Sequence, residues 1–455
     1  MKNTHDNVYD LGNARIPALM WKYFLPAFAG VIINSLYNIV DRIFIGQGVG
    51  ALALSGLSAV FPIMLIMMAF GMLIGIGAGV RISINLGKKD FNRAEKVLGN
   101  AFTLIIIMAV LLTVVGFLIK DPMLRMFGAG PETVDYANDY LNIILFGSLF
   151  NMMGFSLNNL IRSEGNANIA MYSMLISAGL NLVLDPIFIF VLDMGVKGAA
   201  WATIISQFVL MIWVLRHFLS KRSVIKLKPS NFKPEKDIIL YIVTIGFAPF
   251  SMQMAASLVQ VTFNMQLVKY GGDLAVGAMG IIISVAMLII MSIVAINMAI
   301  QPIIGFNYGA GNLKRVKETL MLAMKYATFV SIGGFLLVEL FPHSIIRLFN
   351  SQSDELLNIS TRGLRIFLAV LPIIGFQIIV SNYFQSIGKA GIATFLSMLR
   401  QVIVLIPVLL IVPGYLGLTG VWLASPVSDV VSGIVISFYL AREIKHLNAA
   451  IRLQE

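Results

Sequence analysis

Four acidic residues interrupt long apolar stretches of this sequence, at Asp41, Asp185, Glu339 and Asp429. An ionisable side chain inside a membrane-spanning helix costs roughly 2.5–3.5 kcal/mol on insertion scales, so each asks for a chemical reason. Asp41 lies in NSLYNIVDR, where Asn34, Asn38 and Asp41 follow at i, i+4 and i+7 and share one helical face. Asp185 lies in NLVLDP, with Asn181 one turn earlier on the same face. Thr203 enters from the other side of the membrane, about 12 Å in from Gly195, while Asp185 is about 22 Å from the opposite helix end near Ala170. Asp41, Asn181, Asp185 and Thr203 therefore share one depth. Two carboxylates with amide and hydroxyl oxygens suit a hard monovalent cation such as sodium. They also suit a shared proton, because two like charges held together resist joint ionisation.

Competing readings exist for each residue. Asp41 could pair with Arg42, although sequence neighbours face different sides of a helix. Asp185 could cap a helix end before Pro186. Asn34, Asn38, Asn181 and Thr203 could serve only as interhelical hydrogen bonds. Glu339, three residues before Pro342, can snorkel to the outer surface. Asp429, nearer mid-span in SPVSDVV, can pair with Arg400. A second, neutral stripe runs through Gln253, Ser257, Gln260 and Asn264, spaced 4, 3 and 4, with Asn297 and Gln301 beyond it. With Asn34, Tyr37 and Asn38 it is expected to line a substrate cavity, helix packing being the alternative.

Other chemistries are excluded. With no cysteine there are no disulfides, thiol nucleophiles or cysteine-held metals. His5, His217, His343 and His446 have no metal-ligand spacing. No G-x-x-x-x-G-K-[ST] loop exists for ATP, and no Ser/His constellation for a membrane enzyme. The chain is therefore expected not to be an enzyme and to need no cofactor beyond a coupling proton or sodium ion. The net charge of +11 is assigned to cytoplasmic loops rather than to nucleic-acid binding.

The elements that must carry these residues follow from composition. Of 455 residues, 58% are hydrophobic and only 12% charged, too apolar for a surface covered in water. Spans long enough to cross about 30 Å of hydrocarbon recur twelve times: 16–45, 51–84, 93–119, 133–157, 168–192, 195–219, 237–269, 273–305, 314–341, 355–385, 392–413 and 418–446. Pro26, Pro62, Pro302, Pro372 and Pro407 are candidate kinks. Gly71, Gly75 and Gly79 form a close-packing face. Placing both termini in the cytoplasm puts 24 of the 33 Lys and Arg on inner segments and 7 outside, with Arg42 and Arg400 inside helices. Met1 to Arg15 is polar, has no cleavage site and reads as a retained tail. The basic run Arg216 to Lys236 reads as a linker, with lipid-headgroup binding as the alternative.

The halves repeat. LGKKDFNRAEKV (86–97) matches YGAGNLKRVKET (308–319), and NLIRSEGNANIA (159–170) matches NYFQSIGKAGIA (382–393). Asp185-Pro186 falls opposite Ile406-Pro407 and GVKGAAW (195–201) opposite GLTGVW (417–422), all at an offset of 221–223. One register held through four loops indicates a six-plus-six duplication. The expected fold is an all-α integral membrane protein of twelve transmembrane helices. Its two six-helix lobes would be related by a pseudo-two-fold axis along the membrane normal. The expected domains are an N-lobe 1–219, a basic cytoplasmic linker 220–236 and a C-lobe 237–455. The acidic pair has no counterpart in the second repeat, where Asn264 and Ile406 stand in register with Asp41 and Asp185. Coupling chemistry is therefore expected in the first repeat alone.

YNIVDRIFIG in span 1, IRSEGNANIAM after span 4, NLVLDPIFIF in span 5 and GVKGAAWAT entering span 6 together resemble the multidrug and toxic compound extrusion (MATE) family, in particular its DinF-like prokaryotic branch. The resemblance covers nearly the whole chain. It implies a V-shaped pair of lobes that exports amphipathic, often cationic drugs in exchange for protons or sodium. It also places the family's cation site on Asp41, Asn181, Asp185 and Thr203. Members of another branch use acids in spans 7 and 10, where this chain offers Gln253, Asn264, Gln377 and Asn382. The implied setting is a bacterial or archaeal cytoplasmic membrane, with small drugs and membrane lipid as partners and the chain acting as a monomer. A flippase for a lipid-linked sugar of the same superfamily is the alternative. It would call for more cavity cations than Arg42 and Arg400.

Overall fold

The computed structural model describes residues 4–349 and 354–454, and among them there is helix but no strand. A short helix α1 (Thr4–Asn13) occupies the tail that the sequence marks only as polar. The first half continues with α2 (Ile16–Gly48), α3 (Ala51–Gly87), α4 (Phe91–Met126), α5 (Val134–Phe146), α6 (Ser148–Ser163), α7 (Ala167–Val191) and α8 (Gly195–Leu219). The second contains α9 (Lys236–Gly272), α10 (Leu274–Gly309), α11 (Leu313–Leu340), α12 (Asp354–Phe367), α13 (Leu371–Ser386), α14 (Ala390–Leu416) and α15 (Leu418–Arg452).

Among the described residues, ten helices are long and apolar enough to cross a membrane alone. Two further crossings are bent pairs, α5 with α6 at 55° and α12 with α13 at 49°. The sequence predicts each of these as one span, with Pro372 as a candidate kink in the second. The prolines break less than expected: α2 runs through Pro26 and α3 through Pro62. Pro372 does sit in the first turn after the second break, where its missing N–H is harmless. Local π-type widening occurs in α7 at Ile187–Val191 and in α14 at Leu399–Val404. In α14 it lies just before Pro407, whose ring crowds the carbonyl four residues back.

The contacts divide the chain into two compact units, Met1–Phe250 with Gly305–Gly311, and Ser251–Ile304 with Asn312–Glu455. In the first, α2 packs on α7, α3 on α4 and α6, and α8 on α5, α6 and α7. An apolar cluster that includes Ile45, Val60, Leu141, Ile144 and Ala200 fills one end of it. In the second, α11 packs on α13, and α15 on both α12 and α13, around Trp422, Leu364, Leu371 and Ile282.

Glycine permits two close backbone approaches at the opposite end of the first unit. A Cβ at Gly87 would collide with the Phe306 carbonyl, and one at Gly309 with the Ile84 carbonyl. The tail helix docks beside them: Asn307 Nδ2 donates to the Leu11 carbonyl at 2.9 Å, and Leu11 is fully buried.

The basic linker is fastened to α4. Lys228 pairs with Glu95 at 2.5 Å, Lys96 with Glu235 at 2.9 Å, and Arg93 with Asp237. Phe102 and Phe232 stack with centroids 5.0 Å apart. Part of its charge is thus balanced within the protein.

Candidate functional site

The first unit brings the acids of α2 and α7 together. Asp41, Asn181, Asp185 and Thr203 are all buried, with Asp185 only 1% exposed. Their positions follow from local structure. Asn181 and Asp185, one turn apart, share the face of α7 that meets α2 and α8, and Asn181 Nδ2 donates to Asp185 Oδ1 at 3.2 Å. The Asp41 and Asp185 carboxyl groups are neighbours close enough to influence one another electrostatically.

The competing local partners fall away. Arg42 turns to the neighbouring face and holds its guanidinium 5.1 Å from the Phe61 ring centroid. Helix α7 does not stop at Asp185 but continues through Pro186 to Val191. Neither acid is used as a helix cap.

Three oxygens at this point have no partner: Asp41 Oδ1, Asn181 Oδ1 and Asp185 Oδ2. All three can only accept. A buried acceptor left unsatisfied costs about 1–3 kcal/mol, and more when charged. The arrangement is therefore electron-rich and completed by whatever brings positive charge, a proton or a hard cation with oxygen ligands. No group of three or more His, Cys, Asp or Glu that could hold a metal occurs among the described residues. The donors here are two carboxylates with amide and hydroxyl oxygens, which suit sodium better than zinc or iron.

Thr203 reaches the group through a residue that sequence reasoning missed. Its side chain lies beside the Tyr140 hydroxyl, and Tyr140 stands close enough to Asp41, Asp185 and Tyr37 to feel them electrostatically. Tyr140 is six residues into α5, about 9 Å from its first residue, near the depth of Thr203. The depth argument that grouped the other residues would have found it.

The remaining candidates lie apart. Asn34 is exposed and Tyr37 half-buried on α2, while the side chain of Asn38 lies outside the described residues. In the second unit Gln253 and Ser257 are half-buried, Gln260 and Asn264 exposed, and Gln260 Nε2 donates to Asn264 Oδ1 at 3.2 Å. Asn297 carries an unpartnered Oδ1. Glu339 is engaged by Arg365, whose Nε is 3.4 Å away, and Asp429 by Arg400 at 2.7 Å.

Sequence reading also passed over a buried cluster in the first unit, around the loop after α6. Glu164, fully buried in the loop after α6, accepts from His217, from Asn166 at 2.8 Å, from Ser223 at 2.7 Å and from the Val224 amide at 3.2 Å. In the second unit Glu443 on α15 accepts from Tyr383 at 2.9 Å and from Lys389 at 2.6 Å. The acid sits on the loop in one unit and on the last helix in the other.

The MatE family model matches residues 26–187 and again 249–411, two blocks displaced by close to the repeat offset read from the sequence. The chain belongs to the MatE family. This is a family of multidrug efflux transporters that are multi-span helical membrane proteins, and the all-α fold agrees with it. The multidrug export protein MepA of Staphylococcus haemolyticus is 28% identical, with 92% of each chain covered. The MATE multidrug transporter DinF-BH, solved in complex with rhodamine 6G, is 41% identical, with a TM-score of 0.88 over 94% of this chain and 95% of that one. A MOP superfamily transporter from Pyrococcus furiosus is 26% identical, with a TM-score of 0.91 over 98% and 99%.

Proposed function

We propose that this chain is a secondary antiporter of the DinF-like kind. It exports amphipathic, often cationic compounds and is driven by inward movement of protons or sodium bound at Asp41, Asn181, Asp185 and Thr203. The observation that carries the reading is the set of three unpartnered acceptor oxygens on Asp41, Asn181 and Asp185. Similarity to MepA, named for multidrug export, and to the rhodamine 6G complex of DinF-BH supports the substrate class.

The chemistry is electrostatic. Two facing carboxylates repel when both are ionised, and a bound proton or sodium ion removes that repulsion. A ligand shifts a conformational equilibrium only by its differential affinity for the two states. Cation binding therefore favours the arrangement with α2 drawn onto α7 and α8, by bending near Pro26, and this narrows the space available to drug in the first unit. Asn34, Tyr37 and Asn38 would face the substrate on α2, and Gln253, Ser257, Gln260, Asn264 and Asn297 would do so on α9 and α10. The working bodies would be an N-lobe 1–219 and a C-lobe 237–455 joined by 220–236. The chain would act as a monomer in the cytoplasmic membrane with both termini inside.

The test is dye efflux from proteoliposomes under pH and sodium gradients imposed separately. Efflux should follow at least one gradient and stop when both are dissipated. Efflux that persists without either gradient and depends on ATP would overturn the reading.

A further inference from the structure

The second unit has its own charged pair deep in the membrane, and the efflux chemistry above does not use it. Arg400 lies ten residues into α14 and Asp429 eleven residues into α15 from the other side, each about 15 Å from its helix end. The pair is therefore near mid-depth, where charge is costly. Packing alone does not ask for it, because a buried ion pair is often replaceable by apolar side chains with no loss of stability.

The pair is built with care for its orientation. Asp429 is 1% exposed and accepts from Arg400 Nε at 2.7 Å. Ser425 lies 3.4 Å from its second oxygen, and Gln377 Nε2 donates to its backbone carbonyl at 2.6 Å. On the other side, Arg400 belongs to the π-widened turn Leu399–Val404. Ser428 donates to the Arg400 carbonyl at 2.5 Å. Such turns recur at functional sites.

What this leaves open is the outer edge of the guanidinium. Arginine carries five N–H donors in a planar fork. Asp429 takes only the one at Nε, and among the described residues nothing takes those at the two terminal nitrogens. The side chain is 24% exposed while its partner is sealed. Asp429 thus acts as a backstop that fixes the plane of the fork and leaves its bidentate edge free. That edge matches two oxygens of a carboxylate, sulfonate or phosphate.

We propose that Arg400, braced by Asp429, is a subsite for the anionic group of an amphipathic ligand. It extends the efflux reading to the charge of what is bound, and its test is a binding measurement, so its failure is distinct from a failure of efflux. The same chemistry fits a transported amphipath or a membrane lipid with an acidic headgroup, and the experiment separates them.

The matched dyes fluorescein, which carries a free carboxylate, and rhodamine 6G, a cationic ester on the same ring system, are titrated by fluorescence polarisation into the full-length protein in detergent. Arg400→Gln/Asp429→Asn removes both charges together and leaves neither one buried alone. Arg400→Lys keeps the charge and loses the fork. A charge-assisted bidentate contact predicts about tenfold or greater weakening for fluorescein in the double variant. Arg400→Lys should fall between, and rhodamine 6G binding should stay within about twofold throughout. In a second arm, thermal unfolding is followed with added phosphatidylglycerol or phosphatidylcholine. Stabilisation by phosphatidylglycerol alone, lost in the double variant, assigns the subsite to lipid. Equal weakening of both dyes, or no difference between wild type and variants in either arm, overturns the proposal. Elution on size exclusion and the unfolding temperature without ligand verify that each variant is folded.

Discussion

At the scale of single residues, the acceptor oxygens of Asp41, Asn181 and Asp185 set the expectations. Asp41→Asn and Asp185→Asn should each abolish gradient-driven dye efflux while leaving the yield of folded protein unchanged. Removing one intramembrane charge lowers insertion cost rather than raising it. Efflux at the wild-type rate in proteoliposomes with either variant would remove the pair from the mechanism. Tyr140→Phe deletes the hydroxyl that lies beside Thr203 and leaves the ring in its apolar cluster. One hydrogen bond is worth about 0.5–1.5 kcal/mol, so the cation concentration giving half-maximal efflux should rise by roughly two- to tenfold with little change in maximal rate. An unchanged half-maximal concentration would place Tyr140 outside the site.

Legibility at this scale divided along physical lines. Asp41, Asn181 and Asp185 could be singled out because charge and amide groups are conspicuous within apolar helices. The residue type of Tyr140 carried no such signal, since a tyrosine is at home in a core, at an interface or in lipid contact, and only its depth marks it. Glu164 and His217 were hidden for another reason. A loop acid and a histidine in a last helical turn look exposed in sequence, and their burial exists only once α8 and the linker fold back over the loop after α6.

At the scale of elements, the Glu164 and Glu443 clusters each fasten a helix end through a buried acid. Glu164→Gln should cost about 3–5 kcal/mol, because it disrupts a wholly buried pair and leaves His217 and Ser223 facing an amide. Lys389→Met should cost less, since the lysine side chain is 34% exposed and Tyr383 still holds Glu443. Unfolding temperatures of the two variants in detergent should differ in that order, and the reverse order would contradict the burial argument. The apolar runs were readable as spans because length and composition decide membrane crossing. The break between α5 and α6 was not. Gly147 ends α5 with no proline beside it, and the adjacent approach of Ile204 on α8 is a tertiary fact. Pro26 and Pro62, by contrast, are strong local signals that the helices absorb.

At the scale of the whole molecule, the approach of α3 to the inner end of α10 is reciprocal. Gly87 meets the Phe306 carbonyl, and Gly309 meets the Ile84 carbonyl. Positions 84 and 306, and 87 and 309, are partners in the repeat register. Gly87→Ala and Gly309→Ala should each lower the unfolding temperature, because the obstacle is backbone and cannot step aside. The double variant should be less damaging than the sum, since either methyl alone already forces the two turns apart. Strict additivity would show the two contacts to be independent.

That reciprocity is the signature of an isologous interface, the kind two identical subunits form about a dyad. An ancestor with one six-helix repeat, pairing through such a turn, would have carried every side chain in duplicate, and any acid introduced for cation chemistry would have appeared twice. Fusion into one chain lifts that constraint. Asp185 can then stand in register with Ile406, and a guanidinium at position 400 needs no twin. Division of labour between the repeats is thus a freedom that the covalent linker confers, while the inherited dyad at Gly87 and Gly309 still records the symmetry it replaced.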